Sequence, residues 1–224
     1  HHGHVSKDTS LTLTASSFWS KWNASGQIPN RAVATGQIGF YGAIDPNEGG
    51  QTSRTNFNAE MLTFTQNNHI WKNQFYYSNY NFELYSNFTF FLEDATNGDQ
   101  IRQKEARNII GYLSNYNFSH ALGNASADLN VGLNYRQDFT HNTELSHTKN
   151  RAETLETYKL GNINEKNLGL FLEENIKINP KLSLIAGLRY DIFGNQYLDK
   201  LLNLPWQKAK AGIVSPKFNI FYTP

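Results

Sequence analysis

The sequence contains no cysteine in 224 residues, which excludes a disulfide framework, a thiolate metal site and a cysteine nucleophile. It also lacks any run of about 18 apolar residues, so it offers no transmembrane helix. Charge is scarce: Asp, Glu, Lys and Arg together make up 17%, and their balance is a net +1. Such a total predicts no attraction to nucleic acid or to an acidic lipid surface. An initiator Met and a signal peptide are both missing, and no closing strand follows Tyr222-Thr223-Pro224. The expectation is an internal piece of a longer exported protein.

What fills the composition is unusual for a water-soluble domain. Aromatic residues reach 14%, yet the mean hydropathy is −0.57, with Asn, Ser and Thr supplying the polarity. Soluble domains keep their surfaces wet chiefly with Lys and Glu. Many aromatics, few charges and many neutral polar residues fit a membrane β-barrel, with its apolar outer band, aromatic girdles and polar interior.

Helix signals are sparse and period-2 alternation is common. From Ala127 to Phe139, Leu129, Val131, Leu133, Tyr135 and Phe139 share one face, broken only by Gln137. Asp128, Asn130, Gly132, Asn134, Arg136 and Asp138 share the other. Leu182 to Ile192 repeats this, with Arg189 and Asp191 on the polar side and Ile185 as the exception. Between Asn167 and Ile178 the apolar face also holds Glu174, which a bulge or a place near lipid headgroups would relieve. Further strands are expected at Thr9–Trp19, Ser53–Gln66, His69–Tyr80, Asn108–His120 and Pro216–Tyr222, although Ser53–Gln66 and Asn108–His120 carry apolar residues on both faces. That makes about eight strands of roughly 10 to 13 residues, enough to cross a hydrocarbon slab about 30 Å thick at a tilt of about 45°.

The connections alternate. Short turns are expected at Asn67-Asn68, Ala121 to Asn124, Asn179-Pro180-Lys181 and Thr223-Pro224. Long connections are expected at Ser20–Thr52, Asn81–Arg107, Thr140–Lys166 and Gly194–Ser215. Outer-membrane barrels show this pattern, with tight periplasmic turns and long extracellular loops. Trp19, Trp22, Tyr41, Tyr76, Tyr77 and Tyr80 fall near strand–loop junctions and are expected to form the outer aromatic girdle, or else to grip a ligand.

Enzymatic chemistry finds little support. Seven His are present, but no H-E-x-x-H or comparable ligand spacing, so solvated histidines are the simpler reading and no metal or cofactor is expected. His1-His2-Gly3-His4 is open between a strand tail, a tag remnant and a metal site. No G-x-S-x-G elbow occurs, and Glu173 and Glu174 are adjacent and so point to opposite faces of a strand. Arg136, Asp138, Arg189 and Asp191 are the best candidates for function as lumen-facing charges, with mutual satisfaction across the wall as the plainer alternative.

Several segments resemble TonB-dependent receptors of the Bacteroidetes type. Trp22-Asn23-Ala24-Ser25-Gly26-Gln27-Ile28-Pro29-Asn30-Arg31-Ala32-Val33 is similar to their W-x-A-S-G-Q-I-P-x-R-A-V loop. It continues through Ile44-Asp45-Pro46-Asn47-Glu48-Gly49-Gly50 to Ser53-Arg54, although Gly39-Phe40-Tyr41-Gly42 lacks the usual basic residue. Gly187-Leu188-Arg189-Tyr190-Asp191, Ser215-Pro216-Lys217 and Tyr222-Thr223-Pro224 resemble the family's G-L-R-Y-D strand, S-P-K strand and Y-T-P turn.

The resemblance implies an all-β, antiparallel transmembrane β-barrel segment: residues 1–224 as part of the wall of a barrel of the 22-stranded type, with the plug domain and TonB box outside this sequence. It implies a bacterial outer-membrane receptor rather than an enzyme, driven by the TonB complex through the plug and taking up a small ligand, most simply a ferric siderophore. Lipid would be its other partner. Asn130, Asn134, Arg136, Asp138, Arg189 and Asp191 would face the lumen. Trp22, Gln27, Arg31, Tyr41, Asp45 and Glu48 would belong to a ligand-capture loop. A complete eight-stranded outer-membrane barrel and a soluble carbohydrate-binding β-sandwich stand as the alternatives.

Overall fold

The computed structural model describes residues 2–65 and 69–223; His1, Pro224 and the expected turn at Asn67-Asn68 lie outside them. Nine strands form one sheet in chain order: β1 (His2–Ser6), β2 (Thr9–Asn23), β3 (Gly49–Phe64), β4 (Ile70–Ser86), β5 (Ile101–Leu122), β6 (Ala125–Lys149), β7 (Glu153–Asn179), β8 (Leu182–Asp199) and β9 (Gln207–Tyr222). Each strand runs antiparallel to the next. The single helix among the described residues is short, α1 (Asn30–Ala34), starting after the extended Pro29. The all-β, antiparallel class is as expected, and all eight expected strands are present. The short β1 precedes them.

Register shows why these segments form one sheet with two unlike faces. Residues directly opposite in neighbouring strands point the same way, so a row can be followed across the sheet. Leu13, Ala59, Phe75, Tyr112, Tyr135, Leu168 and Ile192 form one such row. The next, toward the turns, runs Leu11, Met61, Asn73, Ser114, Leu133, Leu170, Tyr190, Val214. The apolar alternation of single strands therefore adds up to one belt, interrupted at Asn73 and Ser114. Nothing covers it: Leu172, Leu188 and Phe218 are 49%, 47% and 66% exposed. Among the described residues, the buried apolar ones are only Ala32, Tyr85 and Ala127. A sandwich would bury these rows against a second sheet, and the described residues form only one.

The long connections prove shorter than expected, because strand pairing continues past the alternating segments. Thr140–Lys166, expected as one loop, is mostly the paired ends of β6 and β7, joined at residues 150–152. The other connections at this loop end are residues 24–48, 87–100 and 200–206; Lys7-Asp8, Gly123-Asn124 and Pro180-Lys181 close the turn end. Beyond the belt both faces of β6 and β7 carry mostly polar residues, so no alternation marks these stretches, yet backbone N–H and C=O groups still pair. Bulges at Thr140/Thr143, Leu145/Ser146 and His147/Thr148 blur the pattern further.

The turns are also staggered. The row through Thr9, beside the first turn, passes Thr63, Trp71, Tyr116, Val131 and Leu172 and arrives at Leu188, well up β8 from its turn at Pro180-Lys181. Such stagger is the shear that tilted strands need if a sheet is to curl into a barrel.

Candidate functional site

The polar face of β6 and β8 repeats one local motif, Arg-x-Asp. Alternate residues share a face, so each Arg lies beside its Asp. Arg136 donates from Nε and Nη2 to the two oxygens of Asp138, both at 2.7 Å. Arg189 does the same to Asp191 at 2.6 and 2.7 Å. These two-pronged pairs match guanidinium to carboxylate geometry. Arg107 Nη1 adds a third contact to Asp138 at 3.3 Å, leaving that carboxylate 4% exposed between two guanidiniums.

Small neighbours make room for the forks. Gly169 lies opposite Asp191, and a Cβ there would collide with the Arg189 guanidinium. Asn134, its amide oxygen turned toward β8, accepts from Arg189 Nη1 at 3.1 Å. The Phe171 ring centroid lies 5.9 Å from that guanidinium. Glu60–Lys72 at 2.9 Å and Glu173–Lys217 at 2.7 Å are further ion pairs on this face. Asn130 keeps a buried amide oxygen without a partner. All six residues expected in the lumen thus share the polar face, but the charged ones are engaged with one another. Mutual satisfaction describes the two forks.

At the loop end, a second cluster joins three connections. Asn150 and Arg151 both adopt the left-handed region, φ 55° and 57°, which turns β7 back along β6. Arg151 donates from Nε to Asn47 O at 2.6 Å and from Nη2 to Glu48 O and, at 3.2 Å, Asn23 Oδ1. Its guanidinium stands 5.7 Å from the Tyr85 ring centroid. Gln100, 3% exposed, donates to Asp45 Oδ2 and Asn47 O and accepts from Thr148 Oγ1 and the Arg151 N–H. Asn87 donates to the same Asp45 oxygen at 2.9 Å. Loop 24–48, loop 87–100 and the β6–β7 tip are therefore one hydrogen-bonded unit.

The six residues expected in the capture loop divide in two. Asp45 and Glu48 are posts of this unit, and Trp22 packs against Phe82 with ring centroids 6.4 Å apart. Gln27, Arg31 and Tyr41 are exposed; Tyr41, at 92% exposure, meets Phe40 edge to face at 5.0 Å. The expected girdle is corrected by the same alternation. Trp19 and Tyr77 lie on the apolar face, but Trp22, Tyr76 and Tyr80 lie on the polar one and Tyr41 is in a loop. Sequence reasoning missed Arg107, Gln100 and Arg151. Asn150 could have marked a turn, but nothing local marks how far Arg151 reaches.

Burial at 4% exposure pushes the Glu48 carboxyl above its ordinary 4.5, the Asn87 backbone N–H opposes this, and Asp45 adds to it. Asp99 differs: burial would raise it, but N–H groups of Asp94, Glu93 and Leu92 and the Thr89 hydroxyl hold it below its ordinary 3.8. The two loops should therefore respond oppositely to acid. The Glu48 contribution is complete below 4.5 and lost as pH rises through its raised value. That of Asp99 is present above 3.8 and lost as pH falls through its lowered value. Limited proteolysis of the intact protein is expected to show loop 24–48 better protected on mild acidification and loop 87–100 opened only at lower pH. Glu48→Gln should remove the first response and leave the second.

The family model for TonB dependent receptor-like β-barrels matches residues 2–224. No curated protein matches. Among solved structures, the chain is similar to the ferric citrate transporter FecA in its unliganded form, with a TM-score of 0.83 at 11% identity, covering 99% of this chain and 32% of that one. It is also similar to the alcaligin outer-membrane receptor FauA from Bordetella pertussis, with a TM-score of 0.64 at 12% identity, covering 99% and 31%. The open form of the ferric-catecholate import receptor Fiu from E. coli K12 gives 0.59 at 9% identity, covering 95% and 41%. At these identities the likeness is one of fold, and the chain spans well under half the length of each.

Proposed function

The chain belongs to the TonB-dependent receptor β-barrel family, and on that premise we propose that it is part of the wall of an outer-membrane receptor that imports a scarce nutrient, a ferric siderophore or similar metal chelate, with energy supplied through TonB. The observation that carries this reading is the pair of unlike faces. An uncovered, largely apolar belt on one side suits lipid, and a face of paired charges and amides on the other suits a wet lumen. In this reading residues 1–224 supply wall and capture loops, and a plug encoded elsewhere in the intact protein supplies the gate and the TonB contact. The six polar-face residues line the passage. Gln27, Arg31 and Tyr41 meet the ligand first, on a loop held in place by Trp22, Asp45 and Glu48.

What supports the choice of a ferric chelate is that the structures of similar fold include a ferric citrate transporter and a ferric-catecholate import receptor. Deleting the intact gene is expected to abolish uptake of one radiolabelled ferric chelate in iron-starved cells, and removing TonB should do the same. Unchanged uptake across a panel of citrate, catecholate and hydroxamate chelates would overturn the iron assignment.

A further inference from the structure

Net charge conceals an uneven distribution. Following the rows, Lys21, Lys104, Lys166, Lys208 and Lys210 all project from the apolar face; Glu83 stands between Lys21 and Lys104, whereas the rows of Lys166, Lys208 and Lys210 hold no carboxylate. Each lies on the loop-end side of the belt. At the turn end the strands of that face carry Glu174 and His120 instead, with no strand lysine among the described residues.

The tightest grouping is on β6 to β9. One row reads Gln137, Lys166, Gly194, Lys210, and the next Phe139, Asn164, Gln196, Lys208. Lys166 and Lys210 thus flank Gly194 on either side, each on the neighbouring strand. The space above Gly194 is open: a Cβ there would have no heavy atom within 4 Å. All three lysines are exposed, and none takes part in an ion pair among the described residues. The nearby acids Asp138, Glu165 and Asp191 point to the opposite face.

The stagger of the strands fixes the height of this notch. On β2 to β5 the same row is apolar, running Ala15, Phe57, Tyr77, Ile110. On β7 to β9 it has climbed past the belt, and Tyr135 and Tyr190 sit in the rows just below. Tyr135 donates to Gln137 at 2.7 Å and Gln137 donates to Asn164 at 3.0 Å, a polar chain leading out of the belt. Tyrosines with their hydroxyls toward water mark the membrane interface, and lysine stems lie along apolar surface while their ammonium groups reach outward.

We propose that Lys166, Gly194 and Lys210, with Lys208 above them, form a site on the outside of the wall for the phosphate of a lipid headgroup in the outer leaflet. The inference rests on the membrane reading of the apolar face. Two lysines flank an open glycine floor at headgroup depth, where an anionic oxygen would have a donor on the strand at either side and no carboxylate in the same row. The site would hold the receptor to phosphorylated lipid and is separate from the passage for cargo.

The test uses the intact receptor, purified and stripped of lipid, with lipid A and enzymatically dephosphorylated lipid A as probes and native mass spectrometry to count bound lipid. Lipid A is expected to bind at least tenfold more tightly than its dephosphorylated form. Lys166→Gln with Lys210→Gln should reduce that binding by roughly 25-fold, at about fivefold per lysine, while Lys166→Arg with Lys210→Arg retains it. Equal binding of the two lipids, an unaffected glutamine variant, or displacement of lipid A by millimolar inorganic phosphate would each overturn the proposal. Heat-modifiable migration on unheated gels reports the barrel separately. A receptor that lacks it defeats the membrane reading, and a folded barrel without the lipid difference defeats this inference alone.

Discussion

Arginine in place of Leu188 is expected to lower the stability of the intact receptor in lipid vesicles by about 2–4 kcal/mol, read from urea unfolding. Leu188 lies on the apolar face between Leu172 and Pro216, far from the polar cluster at the loop end. A guanidinium there must either shed water or drag it into hydrocarbon. Leu133→Arg, between Ser114 and Leu170, should follow the same direction. The opposite face supplies the control. Asn134 already accepts from Arg189, so Asn134→Asp exchanges one acceptor for another and should stay within about 0.5 kcal/mol. If Asn134→Asp proved costly and Leu188→Arg mild, the two faces would be assigned the wrong way round.

The second large effect is expected at Arg151. Arg151→Gly keeps the turn, because glycine adopts a φ of 57° without strain, but removes the guanidinium that binds Asn47 O, Glu48 O and Asn23 Oδ1. Two carbonyls lose a charged donor, at about 1–3 kcal/mol for the docked loop. Hydrogen exchange should show loop 24–48 opening roughly tenfold more often or beyond, while β6 to β8 within the belt keep their protection. A uniform loss of protection would mean that Arg151 supports the whole wall, and unchanged exchange that it supports nothing.

How much of this was legible depended on whether a segment had water on one side only. Ala127–Phe139 and Leu182–Ile192 announced themselves because each has one apolar and one polar face, and the register confirms both assignments. The orientation of Ser53–Gln66 and Asn108–His120 was obscure for a specific reason. Leu62, Ile109 and Leu113 lie on the polar face, while Asn73 and Ser114 interrupt the apolar one. Asn73 is tolerated there because Tyr112 and Ser114 donate to it at 2.7 and 2.9 Å and Trp71 donates to Ser114 at 3.0 Å.

Glu174 makes the same point. No bulge relieves it, since pairing with β8 runs unbroken from Gly161 to Lys177. The basic side chain beside it is His120 on β5, whose Nε2 lies 3.5 Å from Glu174 Oε1, two strands distant and outside the reach of local pattern. The Arg-x-Asp forks could be found by reading alternate residues; their third contacts, from Arg107 and Asn134, could not. The continuation of β6 and β7 beyond the belt was hidden because paired backbone leaves no mark on side-chain periodicity.

Every strand of this sheet pairs with its sequence neighbour. The entropy of closing large loops is therefore met in small instalments, one hairpin at a time. Assembly can travel along the polypeptide as a zipper, each finished strand templating the next, with no need for distant segments to find one another first. A lengthened loop at the open end would leave that order untouched, whereas a one-residue slip inside a strand would turn its oily side inward for the rest of that strand.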